Sequence, residues 1–173
     1  FFLLVEGGAV DWASHDHLSG RMIEEMLDFD QAVAAVASWV EAHSNWDETL
    51  LVVTADHETG YLWGPWSNPD WRPLVDYGSG HLPGMTWHHA YHTNSLVPLY
   101  AKGAGAEALS ALADQTDPMR GAYLDNAELG GLLLDLLVAP TCAPTPTPEP
   151  TALPTPVFEL ALPLVHDYRT AFA

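Results

Sequence analysis

Basic residues are scarce in this sequence. It contains 5 lysines and arginines against 23 aspartates and glutamates, which gives a formal net charge of -18 at pH 7. Nucleic acids and anionic membranes bind proteins through positively charged surfaces. The charge balance therefore argues against both classes of partner, and we predict that the protein binds no nucleic acid.

Cysteine and long apolar runs are almost absent as well. Cys142 is the single cysteine, so no disulfide can form within the chain. No run of about 18 or more apolar residues occurs, and the sequence therefore predicts no transmembrane helix. The apolar content of 48% is nevertheless that of a globular protein, and we predict one domain built from residues 1–139.

Hydrophobic spacing predicts alternating strands and helices in this domain. Residues 1–6 form an apolar run typical of a buried strand, and residues 20–43 carry apolar side chains at helical spacing. Residues 50–54 predict a second strand, so that strand, helix and strand would form a right-handed βαβ unit. Further along, we predict a short strand at 97–101, a helix at 106–113 and a last helix capped by Asp125 that ends near Val138.

Three other segments differ in composition. Residues 60–91 are rich in Trp, Gly, Pro and His without a sustained period, and we interpret them as an insertion near the active site. Residues 140–156 form a Pro/Thr-rich linker that should be extended, and residues 157–173 form a tail of unknown role. Because such spacers tether domains at cell surfaces more often than in the cytoplasm, we expect an extracytoplasmic location, whether periplasmic, secreted or on the cell surface.

Side chains that commonly bind metals are concentrated in three short segments, each of which resembles the end of a strand. A sheet holds such groups rigidly while the adjoining loops leave them accessible, as a metal-assisted hydrolase requires. Imidazole with carboxylate suits zinc, and an oxygen site built around a glutamate suits magnesium. A glutamate in an apolar run is also costly to bury unpaired, which favours a metal partner for it. The candidates are Glu6, Asp11, His15, Asp56, His57 and His92.

The motifs around these residues carry a family resemblance. The patterns V-E-G-G-x-x-D-x-x-x-H, T-A-D-H-E-T-G and H-T-N-S-L-V-P-L-Y-A resemble, in that order, the C-terminal portion of a bacterial alkaline phosphatase. The resemblance covers residues 1–138, and it is specific because three separated motifs agree in order and in residue type. It implies an α/β fold, namely the three-layer α/β/α sandwich of alkaline phosphatases, present only as its C-terminal part.

The resemblance also implies a set of metal ligands. One zinc ion would be bound by Asp11, His15 and His92, a second by Asp56 and His57, and a magnesium ion by Glu6. We therefore expect two zinc ions and one magnesium ion as cofactors. These cations would reverse the local negative field that otherwise repels a phosphate ester, so the acidity of the chain is compatible with a phosphomonoester substrate.

Several functional groups of the family have no match in this sequence. These are the nucleophilic serine, the aspartate shared by zinc and magnesium, the magnesium-binding threonine and the arginine that clamps phosphate. We therefore expect the sequence to be the C-terminal portion of a longer protein, with the serine upstream, and this portion alone to be inactive. The arginines that fail to match the clamp are Arg21, Arg72, Arg120 and Arg169.

Two positions near the ligands leave alternatives open. Trp12 stands where family members have a basic or imidazole side chain, and we predict that it binds substrate as an apolar wall; otherwise it packs beneath the site. His89 precedes His92 by three residues and is a competing ligand. We favour His92, because it alone is followed by the threonine and the strand of the family motif.

Three functions are compatible with the sequence. The first is hydrolysis of phosphate monoesters through a phosphoserine intermediate, which releases inorganic phosphate. The second is another activity of the same superfamily, that of a phosphodiesterase or a sulfatase, and the third is a non-catalytic metal-binding surface module. The glutamate of V-E-G-G favours the first, because a third metal site is less general in the superfamily. The sequence does not determine the oligomeric state, and a homodimer is one candidate.

Overall fold

The computed structural model describes residues 1–67 and 70–138, so the predicted linker at 140–156, the tail at 157–173 and Cys142 lie outside the described residues. No helix in the described part is long and apolar enough to cross a membrane. The helices are α1 (Ala9–His15), α2 (Ser19–His43), α3 (Ala106–Leu112) and α4 (Asn126–Val138). The strands are β1 (Leu50–Val53), β2 (Glu58–Thr59), β3 (Leu62–Trp63), β4 (Thr86–Trp87), β5 (His92–Thr93), β6 (Tyr100–Gly103), β7 (Gln115–Asp117) and β8 (Gly121–Tyr123).

The three helices predicted from hydrophobic spacing are present within one or two residues of their expected ends. The start of α4 shows why such a boundary can be predicted. The side chain of Asp125 accepts a hydrogen bond from the backbone N–H of Ala127 at 2.8 Å, and the Glu128 carboxylate accepts one from the backbone N–H of Asp125 at 2.7 Å. This reciprocal arrangement is a capping box with aspartate in the first position, which satisfies backbone donors that the helix leaves free.

The prediction of a buried strand at residues 1–6 is wrong for this structure. The segment has no regular secondary structure, and its apolar side chains are exposed, from 52% for Val5 to 99% for Phe1. A strand is stabilised by hydrogen bonds to a neighbouring strand. No strand among the described residues pairs with this segment, so its hydrophobicity alone does not make it a strand.

The predicted βαβ unit is wrong as well. β1 pairs with β6 in antiparallel register, with Leu50 opposite Gly103 and Val53 opposite Tyr100. Within the described residues, the sheets are four two-stranded antiparallel ladders, β1–β6, β2–β5, β3–β4 and β7–β8. The described fold is therefore a mixture of helices and small antiparallel ladders.

The strand predicted at 97–101 is displaced toward the C-terminus, since β6 begins at Tyr100. Pro98 explains the shift, because proline has no N–H to donate to a ladder. Its carbonyl oxygen instead accepts a hydrogen bond from the Thr54 hydroxyl at 3.1 Å. This contact joins the end of β1 to the segment that leads into β6.

Residues 60–91 contain short regular structure of their own. β3 pairs with β4, and an isolated bridge joins Val75 to Gly84. The Arg120 guanidinium, from the turn between β7 and β8, lies over the ring of Trp63 at 4.4 Å and over that of Trp71 at 5.6 Å. Cation–π contacts of this kind contribute about 0.5–2 kcal/mol each, so they fasten this segment to the β7–β8 hairpin.

Candidate metal centre

Helix α1 presents the first two candidate ligands. The sequence placed Asp11 and His15 at the end of a strand, which is wrong, because both lie within α1. Residues four apart share one face of a helix. The Asp11 carboxylate and the His15 imidazole accordingly lie side by side, with Oδ2 and Nε2 3.4 Å apart. A helix that packs against α2 thus supplies the rigid support that a strand was expected to give.

The β2–β5 ladder presents two histidines to the same place. His92 lies in β5, opposite Thr59 of β2, and His57 immediately precedes β2. The His57 and His92 rings stack with their centroids 3.5 Å apart and an interplanar angle of 22°. The ladder therefore brings together residues 35 positions apart in the sequence.

The two supports meet at a cluster of ligand atoms. His92 Nε2 lies 3.0 Å from His15 Nε2 and 3.4 Å from Asp11 Oδ1. One ligand atom each from Asp11, His57 and His92 lies within 4.8 Å of the other two. One carboxylate and three imidazoles from α1 and the β2–β5 ladder thus converge, which is a donor set that suits zinc.

The orientation of His15 is set by the backbone. Its Nδ1 lies 2.9 Å from the carbonyl oxygen of Ala90, and because a carbonyl can only accept, Nδ1 must carry the proton. In the neutral ring the lone pair is then on Nε2, the atom that faces His92. Metal-binding histidines are commonly held in this way by a carbonyl or carboxylate on the other ring nitrogen.

Residues 86–93, which include β4 and β5, make further contacts with the end of α1 and the start of α2. His17 Nε2 donates to the carbonyl oxygen of His89 at 2.7 Å, and the His17 and Trp87 rings stack at 5.3 Å. The Trp87 indole N–H in turn donates to the Ser19 hydroxyl at 2.8 Å. These contacts hold the segment that carries His92 against the end of α1 and the start of α2.

Gly60 connects the end of β2 to residues 88–91 through backbone hydrogen bonds. Its N–H donates to the Tyr91 carbonyl at 3.0 Å, and its own carbonyl accepts from the N–H groups of His88 and His89 at 3.1 and 2.9 Å. Its φ of +84° is one that glycine adopts readily, and a Cβ there would lie 2.4 Å from the Trp87 ring. The final glycine of T-A-D-H-E-T-G is therefore required by both conformation and space.

The remaining candidates surround a cavity beside the cluster. Asp56 Oδ2 lies 3.3 Å from His57 Nε2, and Asp56 is otherwise exposed. The cavity has a volume of about 270 Å³, and Trp12, which is 72% exposed, forms part of its wall. Glu6 also borders the cavity from the segment before α1. The lining residues are Glu6, Gly8, Asp11, Trp12, Asp56 and His57.

The competing histidine lies apart from the cluster. His89 Nδ1 accepts from the backbone N–H of Tyr91 at 3.1 Å, and its ring packs edge-on against the Tyr91 ring. His88 packs against Tyr61, and its Nε2 is buried without a hydrogen-bond partner. The distances therefore favour His92 over His89 as the ligand.

Sequence reasoning assigned no role to two residues that organise the site. The Thr59 hydroxyl donates to Asp11 Oδ1 at 2.5 Å and lies 3.3 Å from His57 Nδ1. The Glu58 carboxylate accepts hydrogen bonds from the Leu62 backbone N–H at 2.9 Å and from the Thr93 hydroxyl. Their position directly after Asp56-His57 was the available signal, but only the fold shows which atoms they contact.

The side chains of the cluster are suited to binding metal ions. The cluster offers carboxylate oxygens and imidazole nitrogens only, and the ring nitrogen of His15 that faces the cluster is free to bind because the other one is engaged. The cavity that adjoins the cluster is open to solvent on the side of Trp12 and Asp56. A centre open on one side is the arrangement that catalytic metal sites share.

Comparison with known proteins agrees with these observations. Residues 1–82 match the family model described as alkaline phosphatase. Alkaline phosphatase 3 of Bacillus subtilis (strain 168) is 45% identical over 60 residues, which is 35% of this chain and 12% of that protein. Streptomycin-6-phosphate phosphatase of Streptomyces griseus is 34% identical over 131 residues, which is 67% of this chain and 27% of that protein.

Among solved structures, that of alkaline phosphatase from the Antarctic bacterium TAB5 superposes with a TM-score of 0.45 at 27% identity, covering 59% of this chain and 28% of that one. Two mutant forms of the TAB5 enzyme have magnesium bound in a site called M3. The chain spans about a quarter or less of the length of the two sequence relatives named above. On this match and on these relatives, residues 1–82 of the chain are part of an alkaline phosphatase domain.

Proposed function

We propose that the protein of which this chain is part hydrolyses phosphate monoesters at a centre of two zinc ions and one magnesium ion. Asp11, His15 and His92 would hold one zinc and Asp56 and His57 the other, while Glu6 would hold magnesium. One observation carries the proposal, namely the convergence of ligand atoms from Asp11, His57 and His92 within 4.8 Å beside an open cavity.

The chain's own residues have three tasks in this proposal. The carboxylates and imidazoles present their ligand atoms, the Ala90 carbonyl fixes the ring of His15, and Trp12 walls the cavity where the ester would lie. When bound, zinc would activate the attacking oxygen and stabilise the leaving oxygen. The nucleophile would be a serine that this sequence does not contain in matching form, and its phosphorylation would give the phosphoserine intermediate.

The three-layer α/β/α sandwich remains part of the proposal for the whole catalytic domain. We also propose that residues 1–139 belong to that domain and that residues 60–91 are an insertion near its active site. The Gly60 hydrogen bonds and the contacts of residues 86–93 with α1 and α2 support a position of that segment beside the centre. The proposal also includes an extracytoplasmic location and a phosphomonoester as substrate. A measurement of the mass in solution would show whether the protein is a homodimer.

An assay of the full-length protein tests the function. We expect it to hydrolyse an aryl phosphate, to lose that activity when a chelator removes the metals and to regain it when zinc and magnesium are returned. Matched reactions with an aryl phosphodiester and an aryl sulfate separate the alternatives, because the ester with the highest kcat/KM identifies the reaction class. Metal binding without turnover of any of the three esters would instead indicate the non-catalytic module.

Trp12 allows a prediction about substrate binding. The indole is 72% exposed at the cavity wall, which supports a contact with substrate rather than with the protein interior. A neutral ring offers phosphate no positive charge, whereas a lysine would. We expect Trp12→Lys in the full-length protein to lower the inhibition constant of inorganic phosphate about fivefold, which corresponds to about 1 kcal/mol for a partly solvated ion pair.

The same substitution should lower the turnover number if phosphate release limits the rate. The measurement is an inhibition constant and a turnover number at alkaline pH for wild type and Trp12→Lys. Trp12→Phe serves as the control, because it keeps an apolar ring and should leave phosphate affinity near that of wild type. Unchanged phosphate affinity in Trp12→Lys would contradict a role for this position in binding.

A further inference from the structure

The cavity beside the cluster has an aromatic wall. Its volume is about 270 Å³, and the indole of Trp12, which is 72% exposed, forms part of its surface. Among the described residues, neither a lysine nor an arginine lines this cavity. The face of an indole ring attracts cations through its quadrupole, so the wall favours a positively charged group over a negatively charged one.

Asp16 adds a carboxylate on the same face of α1. Its backbone N–H donates to the carbonyl oxygen of Trp12 at 3.3 Å, so position 16 completes the helical turn that begins at position 12. Side chains four residues apart on a helix have Cβ atoms about 5–6 Å from each other. Asp16 is exposed, and its carboxylate has no hydrogen-bond or ion-pair partner within the part of the chain that the structure describes. It is therefore available to a ligand.

The proposed metal centre does not use these two side chains. The other carboxylates of the cavity lining would be engaged as metal ligands, namely Glu6, Asp11 and Asp56. Trp12 and Asp16 are then the groups left for the part of the ester beyond the phosphate, which is the leaving group. An indole face beside a free carboxylate suits an organic cation, because the ring supplies a cation–π contact and the carboxylate an opposite charge.

We propose that Trp12 and Asp16 make the site selective for phosphate monoesters whose leaving group carries an organic ammonium group. The inference rests on the proposed function, because it names the substrate class of the same site. The overall reaction remains hydrolysis, in which the ester and water give a cationic alcohol and inorganic phosphate. Trp12 and Asp16 bind the cationic end of the ester and take no part in breaking the bond between phosphorus and oxygen.

Two esters of the same shape test this selectivity. Phosphocholine carries a trimethylammonium group, and 3,3-dimethylbutyl phosphate replaces its charged nitrogen with a neutral carbon. The measurement is kcat/KM of the full-length protein for each ester, with zinc and magnesium supplied. Because the two alcohols also differ in how readily they leave, the ratio of the two kcat/KM values is compared between proteins, where that difference cancels.

Substitutions at the two positions should lower this ratio. We expect Trp12→Leu, which removes the aromatic face, to lower the preference for phosphocholine about fivefold. Asp16→Asn keeps the shape of the side chain and removes its charge, and it should lower the preference about threefold. Trp12→Phe keeps an aromatic face and should retain most of the preference. An unchanged ratio in either Trp12→Leu or Asp16→Asn would overturn the proposal.

Asp135→Asn provides the matched control. It removes the same charge from an exposed position of α4 outside the cavity lining, and we expect it to leave the ratio unchanged. Equal effects of Asp135→Asn and Asp16→Asn would show that only the net charge of the protein matters and would overturn the proposal.

Failure of the proposed function gives a different result. Turnover of neither ester by the wild-type protein would contradict phosphomonoester hydrolysis. Calorimetric binding of phosphocholine and of its neutral counterpart would then decide the cation selectivity alone. Tighter binding of phosphocholine that Trp12→Leu abolishes would support the selectivity, and equal binding of the two esters would overturn it.

Discussion

Replacing His92 with alanine in the full-length protein is expected to remove one of two bound zinc ions and nearly all phosphatase activity. The imidazole provides the Nε2 atom that lies 3.0 Å from His15 Nε2 and 3.4 Å from Asp11 Oδ1, and alanine provides no ligand atom. Loss of an outer partner of a ligand already costs about 10- to 100-fold in affinity or activity. Loss of the ligand itself should therefore exceed about 100-fold.

His89→Ala is the control for this prediction, because it removes an imidazole from the same segment. The His89 ring contacts Tyr91, and its Nδ1 accepts from the backbone N–H of Tyr91. We expect that variant to retain both zinc ions and most of the activity. Elemental analysis of zinc per protein, beside kcat/KM on an aryl phosphate, measures both variants. Loss of zinc from His89→Ala alone would mean that the wrong histidine is assigned.

His92 also shows how the candidate site could be predicted while its geometry could not. The order of motifs identified which histidine to consider, because residue type and spacing are properties of the sequence. The stacking of His92 on His57 is a property of the β2–β5 ladder. Each strand of this ladder has only two residues, which is too short to be recognised from hydrophobic spacing. The contact of Thr59 with Asp11 spans 48 residues and is set by the packing of α1 near β2.

The fold, like the site, was predictable from the sequence only in part. Long helices such as α2 were predicted because many residues repeat the same spacing, and α4 because Asp125 precedes a final apolar run as a capping residue. The apolar run at residues 1–6 gave a wrong strand, since hydrophobicity indicates burial but a strand needs a hydrogen-bonding neighbour. Local patterns therefore predicted the helices better than the strand pairs, which depend on distant partners.

The correction at α1 bears on the mechanism proposed. A helix holds Asp11 and His15 one turn apart through its own backbone hydrogen bonds, so their relative position needs no sheet. His92 follows residues 88–91, which the carbonyl and the N–H of Gly60 hold through backbone hydrogen bonds. The centre is thus supported by one local element and by the long-range hydrogen bonds of Gly60, and changes at Gly60 should disturb both the position of His92 and the ring orientation of His15.

The 173-residue chain, purified by itself, is expected to bind zinc and to hydrolyse no aryl phosphate. Covalent catalysis requires a nucleophile, and no residue of the sequence matches the serine of the family. Two of the described arginines also have other contacts. Arg21 forms an ion pair with Glu24 at 2.7 Å on the exposed face of α2, and Arg120 lies over the ring of Trp63.

Zinc binding and turnover are therefore measured on the same preparation of this chain, with zinc and magnesium supplied and the full-length protein assayed in parallel. Bound zinc without turnover would agree with a chain that holds part of the metal ligands but no group to accept the phosphoryl. The His92→Ala form of the chain is the control for specific binding, because it lacks one imidazole of the cluster. Robust turnover by the chain alone that a chelator abolishes would contradict the assignment of the nucleophile to a serine upstream of this sequence.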